Sequence, residues 1–371
     1  MEIGFGKSAR RAYELDDVAI VPSRRTRDPE QVDLSWEIDA YRFDIPLVAS
    51  PMDSVVSPAT AIEIGRLGGL GVLNLEGLWT RYDDPEPILQ EIADAPAEKA
   101  VARMQELYRE PVKPELVGTR IRALKEAGVV SCGAVSPQQT EVLTPVVLAA
   151  ELDLLVIHGT VVSAEHVTKS GEPLNLKRFI RELPIPVLVG GCSSYQTALH
   201  LMRTGASGVL VGVGPGVAST TRDVLGIGMP QATAIADACG ARMRHLVETG
   251  VYCHVIADGG MATGGHIAKA IACGADAVMM GAPLAAAAEA PGRGHHWGTH
   301  AVHATLPRGS RLEVGVLGTL EEILVGPALE NDGRLNLFGA LRRSMAMTGH
   351  ESLKEFQKAE LVMTGSGSLL P

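Results

Sequence analysis

The segment that most clearly points to chemistry is rich in glycine and ends in three hydroxyl side chains. It runs Gly212-Val-Gly214-Pro-Gly216-Val-Ala-Ser219-Thr220-Thr221-Arg222. Glycines let the backbone come close to a ligand, and the Ser-Thr-Thr run can begin a helix whose first N–H groups are free to bind an anion. After a strand, such a segment is typical of a phosphate site. A tight turn without a ligand is the alternative.

Two later segments have a similar character. Ala257-Asp258-Gly259-Gly260-Met261 and Met280-Gly281-Ala282-Pro283 each come directly after an apolar run. Asp258 could accept hydrogen bonds from the two hydroxyls of a ribose, or it could cap a helix. Glu289 follows four alanines, where a carboxylate that faces a closed site could act as an acid. A solvated loop glutamate is the alternative there.

Eight short apolar runs alternate with helical patterns and must position these segments. Each run is almost continuously hydrophobic, as expected for a strand that is buried on both faces. Eight parallel βα units predict an α/β fold, a (β/α)8 TIM barrel formed as a single domain over residues 1–371. An open doubly wound sheet is the alternative. The predicted strands are Ile45–Ser50, Leu70–Asn74, Val129–Val135, Leu154–His158, Pro186–Gly190, Gly208–Val213, Cys253–Asp258 and Asp276–Gly281, and the clearest helices are Tyr195–Thr204, Gln231–Thr249 and Ile267–Cys273.

Two stretches fit no βα unit. Residues 76–120 are polar and contain helical patterns at Ile88–Ala93 and Glu98–Arg109. Residues 290–318 are rich in glycine, histidine and proline, and become strand-like at Arg311–Val316. Because the second stretch follows the eighth strand, on the side where barrel enzymes carry their active sites, we predict a mobile flap there.

The composition argues against several classes of partner. The net charge of -10 comes without a basic block, so we expect no nucleic-acid partner. No apolar run has the length of a membrane span, and the five scattered cysteines are typical of reduced thiols, so we expect a cytoplasmic protein without a membrane partner. His296, His300 and His303 could share a helix face and bind zinc, but the intervening glycine and following proline favour a metal-free flap.

Motifs along nearly the whole chain occur in the order of a known family. Besides the three glycine-containing segments, they are Tyr13-Glu-Leu-Asp-Asp-Val-Ala-Ile-Val-Pro22, Ile45-Pro-Leu-Val-Ala-Ser50-Pro-Met52-Asp53-Ser54, Gly68-Gly-Leu-Gly71-Val-Leu-Asn74, Glu289-Ala-Pro-Gly292 and Gly339-Ala-Leu-Arg-Arg-Ser-Met-Ala-Met-Thr-Gly349. This sequence resembles the IMP dehydrogenase/GMP reductase family, in particular its branch without the regulatory CBS pair. Where that pair is usually inserted, this chain has the 76–120 stretch.

The resemblance implies a role for each site residue. Thr221 and Glu289 would be catalytic, with Ser219 at the nucleophile's position, and carbonyls of Gly214, Gly216 and Ser219 would bind a potassium ion. His158 and Asn74 would bind the cofactor, which is NADPH, or alternatively NADH or NAD. It also implies GMP, IMP or XMP as the ligand and a homotetramer or homo-octamer. The nucleotide would be held by Ser50, Met52, Asp258, Gly259, Gly260, Gly281, Ala282 and Gly298.

The sequence departs from the family at the most reactive position. The family's catalytic cysteine falls at Ser219, and a hydroxyl is a weak nucleophile unless a base activates it. The serine could be a substituted cysteine, it could mark a natural nucleotide binder without chemistry, or Cys192 could serve instead. In addition, Val217 and Ala282 replace phosphate-binding serines of many relatives.

The flap departs from the family as well. IMP dehydrogenases carry an arginine that activates the hydrolytic water, whereas the matching stretch here is His295-His296-Trp297-Gly298-Thr299. We therefore predict a GMP reductase whose activity Ser219 could weaken or abolish. IMP dehydrogenase, a non-catalytic purine nucleotide binder and a flavin-dependent barrel enzyme are the alternatives.

Overall fold

Eight parallel strands close into a barrel in the computed structural model, which describes residues 2–164, 174–298 and 310–364. Each strand pairs with the strands before and after it in the chain, and the eighth pairs with the first. This confirms the TIM barrel and excludes the open sheet. The strands are β1 (Leu47–Ala49), β2 (Leu70–Asn74), β3 (Cys132–Val135), β4 (Leu154–His158), β5 (Val187–Cys192), β6 (Gly208–Val211), β7 (His254–Asp258) and β8 (Ala277–Met280).

The predicted strand positions are correct, and two strands have the predicted bounds. The largest difference is at β3, which begins at Cys132 rather than Val129. Ser131 lies before this strand because its amide and hydroxyl both donate to the carboxylate of Asp153. β5 extends two residues beyond its predicted end, to Cys192. Continuous hydrophobicity indicates a buried run, but it does not separate the strand itself from apolar residues that flank the strand.

Helices surround the barrel. The longest, Gln231–Thr249, has the predicted bounds, while the predicted helix Ile267–Cys273 begins earlier because Thr263 caps it by accepting from the amide of His266. The helices are α1 (Pro58–Arg66), α2 (Glu86–Asp94), α3 (Ala97–Leu107), α4 (Pro114–Glu126), α5 (Thr140–Ala149), α6 (Leu176–Glu182), α7 (Tyr195–Met202), α8 (Thr221–Leu225), α9 (Gln231–Thr249), α10 (Gly264–Ala272), α11 (Ala282–Ala285), α12 (Leu320–Leu324), α13 (Leu337–Met347) and α14 (Leu353–Phe356).

The predicted 76–120 insertion is shorter than expected. Its last part belongs to α4, the barrel helix between β2 and β3, which begins at Pro114 and packs against α1 and α5. The remaining residues carry α2 and α3. These two helices have a small hydrophobic cluster of their own, separate from the main barrel core, and we call it the insertion cluster: Leu78, Leu89, Ile92, Met104, Leu107 and Trp297.

Short antiparallel pairs complete the described part of the chain. In the predicted flap, His295–Trp297 pairs with Arg311–Glu313, so the strand-like run is shorter than Arg311–Val316. Residues 299–309, with His300 and His303, lie outside the described residues. The other pairs are Glu2–Gly4 with Lys7–Ser8, Val18–Ile20 with Leu361–Met363, and Trp36–Ile38 with Tyr41–Phe43, and the 3-10 helices are Leu15–Asp17, Pro29–Gln31 and Leu78–Thr80.

A buried ion cluster lies at the opposite end of the barrel from the glycine segments. Asp276, just before β8, is 2.8 Å from Arg242 and 2.6 Å from Lys354. Burial by itself would raise the pKa of Asp276, but the charges of Arg242 and Lys354 lower it to about 2.

In the described ranges, no helix is long and apolar enough to cross a bilayer.

Candidate active site

A pocket of about 240 Å³ lies at the carboxyl ends of the strands, where barrel enzymes place their active sites. Loops after five strands and one flap strand line it. The lining residues are Ser50 and Met52 after β1, His158 to Thr160 from the end of β4, Gly212 and Gly214 to Thr221 after β6, Asp258 to Ala262 from the end of β7, Met280 to Pro283 from the end of β8, and His296 and Gly298 of the flap.

Most of the predicted site residues therefore meet in one pocket, although they are remote in sequence. Two of them, Glu289 and Asn74, do not line it. The other predicted site residues all line the pocket: Ser219, Thr221, Ser50, Met52, Asp258, Gly259, Gly260, Gly281, Ala282, Gly298, His158, Gly214 and Gly216.

The loop after β6 turns on itself before α8. Gly214 has a φ of +75°, which a residue with a side chain rarely adopts, and the amide of Ser219 donates to the carbonyl of Gly216 at 2.9 Å. The Ser219 hydroxyl donates to the hydroxyl of the buried Thr221 at 3.2 Å and accepts weakly from its amide at 3.4 Å. Among the described residues, these contacts bring no general base to Ser219.

The apolar strand β7 presents Asp258 at its end. One carboxylate oxygen, Oδ2, is 3.3 Å from His158 Nε2 at the end of β4, and both side chains are mostly buried. Gln231, which the sequence analysis did not select, holds the backbone here: its Nε2 donates to the carbonyls of Val211 and Asp258, at 2.7 and 3.3 Å. The carboxylate is thus oriented by its neighbours and still lines the pocket, where it can accept hydroxyl hydrogens.

Ser50 adds a hydroxyl without a partner. The residue is 2% exposed, and its Oγ has no hydrogen-bond partner in the described part of the chain. Its amide donates to the carbonyl of Met280 at 2.9 Å, so the loops after β1 and β8 are joined next to the pocket. A buried hydroxyl that lacks a partner is costly, and a bound ligand would satisfy it.

His296 also lines the pocket, which the sequence analysis missed. It lies in a strand and not on the helix face that the zinc alternative would need, and no cluster of three potential ligands occurs in the described ranges. Its Nδ1 is 3.1 Å from Ser54 Oγ, and burial lowers its pKa to about 4, so the ring is neutral at pH 7. A Cβ at Gly281 would lie 3.2 Å from both His296 and Met52, so the wall is tightly packed there.

The predicted convergence of Ser219, Asp258 and Glu289 is only partly correct. Glu289 is exposed, and its Oε2 accepts from the amide of Leu320 at 2.9 Å, at the start of α12. The reason is local: α11 turns the chain after β8, and Ala287 then forms a bridge with Gly318. Glu289 therefore stabilises the start of α12 and does not line the pocket.

Two further candidates have other partners. The side-chain Nδ2 of Asn74 donates to Asp53 at 3.3 Å, and its Oδ1 accepts from the backbone N–H of Glu76 at 3.1 Å. The Asn74 side chain is thus satisfied outside the pocket.

Cys192 is fully buried in the strand wall, its thiol faces the carbonyl of Leu210 at 3.5 Å, and burial raises the pKa of the thiol to about 12. Cys192 also does not line the described pocket, so this buried thiol does not fit the role of a substitute nucleophile.

The cofactor and cation sites stay predictions. His158, Gly159 and Thr160 line the pocket, and the His158 contact joins them to Asp258. Carbonyls of one loop are suitable donors for potassium, but the Gly216 carbonyl already accepts the Ser219 amide. Potassium remains a prediction.

Comparisons with known proteins agree with this arrangement. The model of the family described as IMP dehydrogenase / GMP reductase domain matches residues 12–311. A crystal structure of an IMP dehydrogenase/GMP reductase-like protein from Corynebacterium glutamicum has a TM-score of 0.93 at 45% identity, over 98% of this chain and 97% of that one.

Curated relatives fall into two groups. Uncharacterized oxidoreductases from Mycolicibacterium smegmatis and Mycobacterium tuberculosis are 53% and 54% identical, covering 98% of this chain and 99–100% of theirs. The inosine-5'-monophosphate dehydrogenase of Methanocaldococcus jannaschii is 25% identical, over 97% of this chain and 94% of its own. The chain belongs to the IMP dehydrogenase/GMP reductase family.

Proposed function

We propose that this protein is a purine nucleotide oxidoreductase of GMP reductase type, in which GMP, NADPH and a proton give IMP, NADP+ and ammonia. The observation that carries the proposal is that the three glycine-containing loops meet at one pocket with the Ser50 hydroxyl, which has no partner among the described residues. Glycine-containing loops, whose backbone can come close to a ligand, suit a phosphate, and Asp258 suits a ribose diol.

The surroundings of the flap favour reduction over oxidation. Oxidation of IMP needs a water that attacks C2 of a covalent intermediate, and an arginine would have to activate that water. No arginine or lysine lines the described pocket. Arg293 pairs with Glu86 at 2.7 Å, and Arg311 donates to the carbonyls of Ile92 and Ala93. Arg293 and Arg311 are thus engaged outside the pocket, and Arg308 of the flap lies outside the described residues.

The chain's own residues would act in distinct ways. Asp258 and Ser50 bind and orient the nucleotide, and the glycine loops place its phosphate. Thr221, whose hydroxyl accepts from that of Ser219, can hold a proton at its Oγ1. NADPH, when bound beside His158, supplies the hydride. Glu289 has no role in this scheme unless its contact with Leu320 opens.

IMP dehydrogenase is the second candidate, and a specific observation favours it. Curated relatives such as the archaeal protein are named for that activity, and Glu289, which a reductase relay would use, lies outside the pocket. Assays of the purified protein with GMP plus NADPH, and separately with IMP plus NAD, distinguish the two. Turnover of IMP alone would contradict the reductase assignment.

Asp258→Asn tests the ribose site. The amide keeps the shape of the side chain but loses the charge that strengthens hydrogen bonds from the diol, so we expect the Kd for GMP to rise about tenfold, or about 1.4 kcal/mol. Isothermal titration calorimetry measures the change. The matched control uses 2′,3′-dideoxy-GMP, which should bind both proteins equally; an equal loss with both ligands would contradict the assignment.

Ala282→Ser tests the phosphate end. Ala282 begins α11 beside Gly281, so a serine there adds a hydroxyl donor to a site that otherwise relies on backbone groups. We expect GMP to bind about three- to tenfold more tightly and guanosine, which has no phosphate, to bind unchanged. The same titrations measure both ligands, and tighter binding of guanosine would argue against a phosphate at this loop.

A further inference from the structure

The insertion contacts the wall of the pocket from behind without lining any of it. Trp297, between the lining residues His296 and Gly298, is 1% exposed and belongs to the insertion cluster. On its other side, the hydroxyl of Ser54 is 3.2 Å from both the amide and the carbonyl of Trp297. The flap strand is therefore fixed between the insertion and the loop after β1.

A chain of two partly buried hydrogen bonds crosses this contact. Trp297 Nε1 donates to the hydroxyl of Tyr108 at 2.9 Å, and that hydroxyl donates to Asp53 Oδ2 at 2.7 Å. Asp53 is 1% exposed and follows Met52 of the pocket directly. Both ends of the chain are therefore sequence neighbours of pocket-lining residues, and its middle residue, Tyr108, belongs to the insertion.

Two arginines also join the flap to the insertion. Arg311, which is paired with Trp297 in the flap hairpin, donates to the carbonyls of Ile92 and Ala93 at 2.6 and 2.7 Å. These carbonyls are at the end of α2, where helix carbonyls lack intrahelical partners. With the Arg293–Glu86 pair, the insertion holds both sides of the hairpin.

We infer that Tyr108 is a positioning residue of the nucleotide pocket, acting through Asp53 and Trp297 on the wall formed by Met52 and His296. That wall is closely packed, because a Cβ at Gly281 would lie 3.2 Å from both side chains. The insertion thus sets the shape of a pocket it does not enter. The inference rests on the proposed nucleotide site for its effect on binding.

Tyr108→Phe tests the inference. Loss of the hydroxyl leaves Trp297 Nε1 without its acceptor and Asp53 without its shortest hydrogen bond. We expect hydrogen–deuterium exchange in residues 290–298 to accelerate about tenfold and the Kd for GMP or IMP to rise about tenfold. Trp297→Phe breaks the same chain from its other end, so the double variant should weaken binding little more than either single variant.

Tyr252→Phe is the matched control. Its hydroxyl also donates to a buried carboxylate, that of Asp276 at 2.8 Å, but at the opposite end of the barrel. We expect it to lower the Tm without changing nucleotide Kd or exchange in residues 290–298. If Tyr108→Phe and Trp297→Phe behave like this control, Tyr108 has no positioning role. Wild-type protein that binds neither GMP nor IMP would refute the proposed function, and the exchange data would still decide the role of Tyr108.

Discussion

Replacing Ser219 by cysteine is expected to increase the rate of GMP reduction by roughly 10³-fold or more, with little change in the Kd for GMP. A thiol ionises far more readily than a hydroxyl and is the better nucleophile toward purine C2. Among the described residues, the hydroxyl of Ser219 contacts only the hydroxyl and the amide of Thr221, and neither is a base that could activate it. Steady-state rates with GMP plus NADPH measure the change.

Ser219→Ala is the control for this prediction. If the serine is inert, the alanine variant should turn over GMP as slowly as the wild type and bind it equally well. A wild type that is fast, together with an alanine variant that is slow, would show that the serine itself reacts. If the cysteine variant is inert with GMP and with IMP but both proteins bind nucleotide, the non-catalytic binder is the correct alternative.

Asp276→Asn is expected to lower the free energy of unfolding by about 3–5 kcal/mol, because it leaves Arg242 buried without its counter-charge. The Arg242 and Asp276 side chains are only 4% and 3% exposed, and the carboxylate also accepts from the amide of Val255 at 2.8 Å. Urea unfolding measures the loss. Glu37→Gln is the matched control: its pair with Arg42 is 2.9 Å long but well exposed, so the change should stay below about 0.5 kcal/mol.

The free energy of unfolding should also depend on pH differently in the wild type and in the Asp276→Asn variant, and the pKa of Asp276 gives the direction of the difference. Asp276 has a pKa of about 2 in the folded chain and near its ordinary 3.8 in the unfolded chain. A lowered pKa stabilises the fold fully above about pH 4, and this contribution is lost as the pH falls toward 2. The substituted amide does not titrate, so the stability difference between wild type and variant should narrow over that range. A constant difference from about pH 5 to pH 2 would contradict the assignment.

The barrel could be predicted from the sequence because its strands are buried on both faces and appear as uninterrupted apolar runs. For two of them, Leu70–Asn74 and Leu154–His158, the predicted first and last residues agree with the structure. The glycine-containing loops could be predicted as well, since each comes directly after such a run and barrel closure gathers all strand ends at one rim.

The direction of side chains after the strands could not be predicted. Glu289 is only eight residues beyond Gly281, yet α11 and the bridge between Ala287 and Gly318 direct it to α12. His296 enters the pocket because Ser54 and the insertion cluster fix its strand, and these contacts join segments more than 180 residues apart. Nothing in the local pattern of residues 295–298 indicates such partners.

A crystal structure of the protein with GMP tests the central claim most directly. We predict nucleotide in the barrel mouth, with the ribose hydroxyls within hydrogen-bond distance of Asp258 and the phosphate against the backbone of the loops after β6, β7 and β8. Crystals soaked at saturating GMP that show an empty mouth, or a nucleotide bound elsewhere, would contradict it.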